Sequence, residues 1–253
     1  QEKIENADQA LVISYDIGLL ELYHPYLNPN IPIKSISEHE SAIGYNFEIS
    51  PIQHNLGLGP SCDGIKIGDY KPQSPQAAWE IIKTHDEYFY NTLLSKTGSH
   101  DVEEFNKSNI LTPAYFNAME SFKNYLLTLS QHNASSKNIC VYLSGISKHQ
   151  YCQGYLSEFL KDTSIKEIEY YEHQKDAIKL PANPTGDHVI KIFTGYFLSN
   201  PSFDALYQLS KIAGVSGDNT LERCISMNVL PFYWSTNWRN KLKTLLALQK
   251  ISQ

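Results

Sequence analysis

The stretch "HVIKIFTGYFLSNPSFDALYQLSKIAGVSGDNTLERCISMNVLPFYW", His188 to Trp234, decides the fold. It opens on an apolar run, His188–Phe197, with the composition of a buried strand. Pro201 suits the first turn of a helix over "PSFDALYQLSKIA". "GVSG" reads as a very short strand end, "NTLERCISMN" as a helix and "VLPFYW" as a further strand. The same grammar holds upstream. "KNICVYLSG" (Lys137–Gly145) is a strand running into a glycine turn, a helix follows to about Leu160, and "IKEIEYYEH" (Ile165–His173) is a strand before the Pro/Gly loop "LPANPTGD". Strands alternating with helices predict βαβ units and a parallel sheet. The expected fold class is α/β, with a Rossmann-like layer over residues 134–253.

Ligands of such sheets bind outside the carboxyl ends of the strands. Three loops fall there: Ser144-Gly145, Thr194–Asn200 and Ser216–Thr220. In the last, Asn219 reads as an N-cap with Glu222 three residues on, a capping box with Asn in the Ser/Thr place. Leu221, Cys224 and Ile225 then face the core. The same geometry offers free N–H groups to an anion, with Gly217 letting a phosphate approach the backbone. One helix start can serve both purposes. Asp218 suits a sugar hydroxyl, a ribose or a water better than a bare phosphate. In "FTGYFLSN", Gly195 and the aromatic pair Tyr196-Phe197 stand just past a strand. They read either as strand-end packing or as a surface for a nucleotide base.

The first half is less regular. "ALVISYDIG" (Ala10–Gly18) and "IPIKSIS" (Ile31–Ser37) read as strands. "GLGPSCDGIKI" (Gly57–Ile67) lies in a glycine-rich loop that matches neither the P-loop nor the G-x-G-x-x-G pattern. It reads as a turn before a strand, or as a loop lying against a ligand. "SPQAAWEIIKTHDEYFYNTLLSK" has helical spacing after Pro75. "TPAYFNAMESFKNYLLTLSQHN" reads as a second helix with Thr112 as cap and Pro113 in the first turn. "HDVEEFNKS" between them is a loop or short helix. Asp16, and Glu38, His39 and Glu40 in "SEHES", are candidate acid/base groups or solvated loop residues.

Composition narrows the field. In 253 residues, apolar types make up 42% and charged types 19%, which is a globular balance. The net charge of −6 and the scatter of the basic residues argue against a broad nucleic-acid or membrane-surface role. Cys62, Cys140, Cys152 and Cys224 form no C-x-x-C pair, and the His residues form no H-x-x-x-H, so no metal site is expected. Reduced thiols in a cytosol-like compartment are the simplest reading. No apolar run reaches the ~20 residues of a membrane span. No G-x-S-x-G elbow points to an α/β-hydrolase. The chain opens on Gln1 without a Met or signal peptide and closes on Gln253 directly after a helical pattern, which reads as a piece of a longer or processed chain.

Taken in order, these motifs resemble the bacterial protein-arginine rhamnosyltransferases, inverting glycosyltransferases of the GT-B fold. That family carries a G-F-T-x-x-[TS]-G-G-L loop, and Gly57–Ile65 stands in its place here. It later carries R-G-E-D-S-F, a helix and a P-F-x-W strand. This chain has Ser216–Leu221, a helix and Pro231-Phe232-Tyr233-Trp234. Phe203-Asp204 matches an aromatic-Asp pair that precedes them. The resemblance implies a GT-B-like protein that is mainly the carboxyl-terminal donor domain (134–253), preceded by a helical segment (71–133) and the end of the amino-terminal domain with its glycine-rich loop (1–70). The rest of that first domain, with its acceptor site and general base, would precede Gln1.

The implied donor is a nucleotide-diphosphate sugar, with no metal or other cofactor. Transfer of a hexosyl or deoxyhexosyl group would go to an acceptor, with a protein as the candidate. The candidate catalytic residues are Asp218 and Asp16. The candidate donor-binding residues are Gly57, Gly59, Ser61, Ser144, Gly195, Tyr196, Phe197, Gly217, Asn219, Thr220 and Glu222. Ser216 departs from the family pattern, since it removes the arginine that partners a phosphate there. The loop also resembles GT-B-like secreted effectors of intracellular bacteria, which implies a cytoplasmic or host-cytosolic location. The alternative is a GT-B-like scaffold that has lost catalysis and binds a protein. A sugar-nucleotide epimerase on the same fold lacks a paired acid/base constellation.

Overall fold

The computed structural model describes residues 10–14, 33–37, 52–55, 73–132, 137–146 and 153–233. The chain divides into two compact units, one of Gln1–Lys66 with Asn237–Gln253 and one of Ile67–Thr236. In the first, β1 (Ala10–Ser14), β2 (Ile33–Ser37) and β3 (Ile52–Asn55) form a parallel sheet in that order. Ala10 pairs with Ile33 and Lys34 with Ile52. The first two strands match the apolar runs in the sequence. The third does not, because its polar residues Gln53, His54 and Asn55 give it no strand pattern of its own.

The second unit is built on seven strands: β4 (Asn109–Tyr115), β5 (Asn138–Ser144), β6 (Ile165–Glu172), β7 (Ile178–Pro181), β8 (His188–Thr194), β9 (Ile212–Val215) and β10 (Leu230–Tyr233). Their order is β10-β9-β4-β5-β8-β6-β7, and every pairing is parallel except β6 with β7. Seven helices accompany them among the described residues: α1 (Pro75–His85), α2 (Glu87–Thr97), α3 (Val102–Ser108), α4 (Met119–His132), α5 (Gln153–Leu160), α6 (Asn200–Gln208) and α7 (Asp218–Ser226). This is the α/β, Rossmann-like layering that the strand and helix alternation predicts. The strand order departs from the 3-2-1-4-5-6 of the dinucleotide-binding fold. Here β8, the fourth parallel strand of this unit, lies between β5 and β6.

The largest surprise is β4. Thr112 and Pro113 sit in the middle of a strand and do not open a helix. The Thr112 hydroxyl is tied across the fold, to the Tyr125 hydroxyl on α4 and, at 2.6 Å, to the Ile212 carbonyl at the start of β9. Pro113 is tolerated because β9 pairs only with the next two residues, Ala114 and Tyr115. The helix begins at Met119. The short edge strand β7 was also hidden, inside a segment whose Pro and Gly content reads as loop. Pro181 sits at its end, opposite Glu167.

Successive residues of a strand point to opposite faces, and the sheet uses both. Ile139, Val141 and Leu143 of β5 join Phe122, Tyr125 and Leu126 of α4 and Leu156 and Leu160 of α5 in one core. Cys140 and Tyr142, the alternating residues, join Trp79 and Ile82 of α1, Phe89 and Leu93 of α2, and Ala205 and Leu206 of α6 in the other. Each fully buried large apolar side chain contributes ~1.5–3 kcal/mol, so the two layers hold the sheet rigid beneath its loops.

Candidate ligand site at the carboxyl edge of the sheet

The helices that follow β4 and β5 pack on one face of the sheet, and the helix that follows β8 packs on the other. Neighbouring strands β5 and β8 therefore send their connections to opposite faces. Such a reversal opens a crevice at the strands' carboxyl ends. A cavity of about 400 Å³ lies there. Its walls come from Tyr115 at the end of β4, Tyr142–Ile146 at the end of β5, and Thr194–Leu198 after β8. Asn200 and Phe203 of α6 and Thr220 and Arg223 of α7 complete it.

Backbone conformation shapes each loop. Gly145 has φ +89°, and a Cβ there would stand 2.5 Å from the Phe116 carbonyl oxygen, so no other residue fits. Gly195 turns the chain out of β8 with φ +75°. The Tyr142 hydroxyl then donates to the Tyr196 carbonyl at 2.7 Å and fixes the turn from below. Burial holds the Tyr142 phenol up at about 12, so it keeps the proton that this bond needs. The loop's far end is fixed as well. Ser199 caps α6, and its N–H and Oγ donate to Asp86 Oδ2 at 3.1 and 2.7 Å. Phe116 N–H donates to the Ser144 carbonyl at 3.2 Å, which joins the β4 and β5 loops.

The aromatic pair divides its labour. The Tyr196 ring is buried, stacked with Tyr88 and edge-on to Phe89 and His173. It is a packing residue, with burial raising its phenol to about 12. Of the two readings the sequence leaves open, its burial matches strand-end packing. Phe197, the next residue, is 98% exposed at the cavity rim.

Helix α7 starts earlier than the capping-box reading has it. Gly217 is the N-cap, with no side-chain cap bond, and Asp218 opens the helix. Asn219 is therefore inside the first turn, and Glu222 lies too far along to close a capping box. The first ladder bond runs from Leu221 N–H to the Gly217 carbonyl, at 3.0 Å. The N–H groups of Asp218, Asn219 and Thr220 precede it, as the unpaired donors of a helix start do. Thr220 Oγ1 donates to the Gly217 carbonyl at 2.8 Å and lines the cavity. Leu221 and Cys224 are buried as expected, and burial pushes the Cys224 thiol up to about 12. The Asp218 and Asn219 side chains lie outside the described residues.

Of the expected site residues, the structure brings together Ser144, Gly195, Tyr196, Phe197 and Thr220 on one cavity. Gly217 stands at the adjoining helix cap, where the Tyr115 ring comes within 3.4 Å of the position a Cβ would take. Glu222 is half-buried and is not among the lining residues. Asp16, Gly57, Gly59 and Ser61, with Glu38, His39 and Glu40, lie outside the described residues.

Arg223 is the wall residue that sequence reasoning missed. It stands three positions after Thr220, so both share a helix face, and that spacing was the available signal. Its Nη1 lies 2.8 Å from Asp204 Oδ1, and its guanidinium sits 5.2 Å over the Phe203 ring. Neither Nη1 nor Oδ1 makes an aligned hydrogen bond. Burial raises the Asp204 carboxyl above its ordinary value, and the nearby guanidinium offsets only part of that. Among the described lining residues, Arg223 is the one charged side chain, and none is a carboxylate or histidine. These walls can bind and orient a ligand. Among the described residues, no cluster of His, Cys, Asp and Glu is arranged to hold a metal ion, and no helix is long and apolar enough to cross a membrane.

Compared with known proteins, the chain matches no family model and no curated relative.

Proposed function

We propose that the cavity binds the nucleoside diphosphate of a sugar donor, and that the protein is a glycosyltransferase passing that sugar to an acceptor. One observation carries the reading. Three strand-end loops and the start of α7 meet on a single cavity of about 400 Å³, within the span of small-molecule sites. The diphosphate lies at the α7 amino terminus, where the N–H groups of Asp218–Thr220 and the helix dipole stabilise the charge of the departing leaving group. The exposed Phe197 ring supports a base at the rim. The GT-B assignment rests on the order of the sequence motifs, with Asp218 as the acidic residue nearest the chemistry. The strand order lends it no support.

Isothermal titration with UDP-, GDP- and dTDP-sugars tests the reading. Micromolar binding of one of them, lost in the Phe197→Ala/Thr220→Pro double variant, which removes the exposed ring and one N–H donor of the helix start, is the expected result. Silence from the whole set would sink it. A second reading, a catalytically inactive scaffold that binds a protein, is favoured by the lack of a carboxylate or histidine on the described walls. It predicts donor binding without turnover, or partner binding that the double variant leaves intact.

A further inference from the structure

We infer that Arg223 is the cation that recognises the ligand's phosphate groups in this cavity, and that Asp204 restrains it by competing for the same guanidinium. The inference rests on the reading of the cavity as a nucleoside-diphosphate site and names the residue that selects for charge there. The other described side chains on the walls are aromatic, apolar or uncharged polar, so among these side chains Arg223 alone distinguishes an anion from a neutral ligand of the same shape. A guanidinium carries five N–H donors in a planar fork suited to phosphate oxygens. Asp204 engages only the Nη1 side, and without an aligned hydrogen bond. The Phe203 ring beneath keeps the fork in place. Arg223 also stands one helical turn beyond Thr220, whose N–H belongs to the free donors of the α7 start. Arginine and helix terminus thus bracket one region of the wall, and Arg223 supplies the positive charge that Ser216 does not.

Calorimetric titration of the whole chain with UDP, GDP, dTDP, uridine and inorganic pyrophosphate tests this. Arg223→Ala is expected to weaken the preferred nucleoside diphosphate about 30-fold, the range of a lost charged hydrogen bond. Uridine binding should change less than about 3-fold, because no charge is involved. Arg223→Lys keeps the charge, loses the fork and guards against misfolding of the alanine variant. It should fall between wild type and Arg223→Ala. Asp204→Asn removes the competing charge at constant size and should tighten the diphosphate about 5-fold, a gain that a merely structural ion pair would not produce.

Wild-type affinity in both arginine variants, equal weakening of diphosphate and uridine in Arg223→Ala, or no tightening in Asp204→Asn overturns the inference and leaves the nucleotide reading standing. Arg223-dependent binding of pyrophosphate with no nucleoside diphosphate bound by wild type does the reverse. Binding of no probe at all by the wild-type chain overturns both.

Discussion

Two carboxylates, one buried and one half-buried, each with a basic partner, are driven in opposite directions. Glu169 on β6 is 4% exposed. Burial alone would raise its carboxyl, but hydrogen bonds from Lys179, Lys191 and Tyr171 outweigh burial and hold it at about 2. Asp204 on α6 has one cation, Arg223, without an aligned hydrogen bond, and its carboxyl is raised. The contrast separates two uses of buried charge. Around Glu169 every charge is matched, and Lys191 also reaches the Lys96 carbonyl at the end of α2, at 2.9 Å, so the group locks a helix to the sheet. At the cavity wall the pair is incompletely satisfied, and a cation remains with donors to spare. A fully satisfied polar network rigidifies a fold, which an under-satisfied pair does not.

The strongest break of this comparison is Glu169→Gln. Glutamine mimics a permanently protonated Glu169 and leaves Lys191, mostly buried, without its carboxylate. Lys179 is largely exposed, and solvent screens its share. A loss of about 2 kcal/mol follows, seen as a drop of roughly 6 °C in Tm. Binding of any cavity ligand should not change, since Glu169 lies outside the cavity lining. A shift of both stability and affinity would join the two regions that the comparison separates.

Acid titration of stability sharpens the same point. The Glu169 carboxyl is depressed from 4.5 to about 2. Its contribution is fully present above about pH 4.5 and is lost as the pH falls from there through about 2. Urea unfolding between pH 6 and 2 should show a steeper decline in wild type than in Glu169→Gln. Parallel curves would show that the Glu169 network does not hold its charge in the folded state.

These contrasts also explain what could be read in advance. Strand and helix alternation after residue 137 was legible because parallel strands buried on both faces are continuous apolar runs, as in Ile139–Leu143. That alternation also pointed to the carboxyl edge and to three of the loops that meet there. The central strand β4 was not legible. Thr112-Pro113 ahead of an amphipathic segment has the local form of a helix start, and only the long-range bond from Thr112 to Ile212 reveals the strand. The Glu169 group was hidden for the same reason: its members come from β6, β7 and β8 and meet only through sheet register. Tyr196 and Phe197 are adjacent in the sequence, but tertiary packing buries the first against Tyr88 and Phe89 and leaves the second exposed. Arg223 had a signal in its spacing from Thr220, but a helix face behind a glycine-containing loop has no motif of its own.

The smallest expected effect is the most diagnostic. Because the Asp204 carboxyl is raised in the folded state, the ionised form is tolerated less well there than in the unfolded chain. The sign is therefore opposite to that of Glu169. The stabilising contribution is complete below the ordinary value of 3.8 and is lost as the pH rises through the raised folded value. Asparagine mimics the protonated state at every pH. Asp204→Asn should be as stable as wild type in acid and more stable at pH 7, by about 0.5 kcal/mol, a small figure because water reaches both partners. Differential scanning calorimetry at pH 7 checks the direction. A destabilised variant would make the Asp204–Arg223 pair a lock of the Glu169 kind, and the cavity wall would then hold its arginine for the sake of the fold.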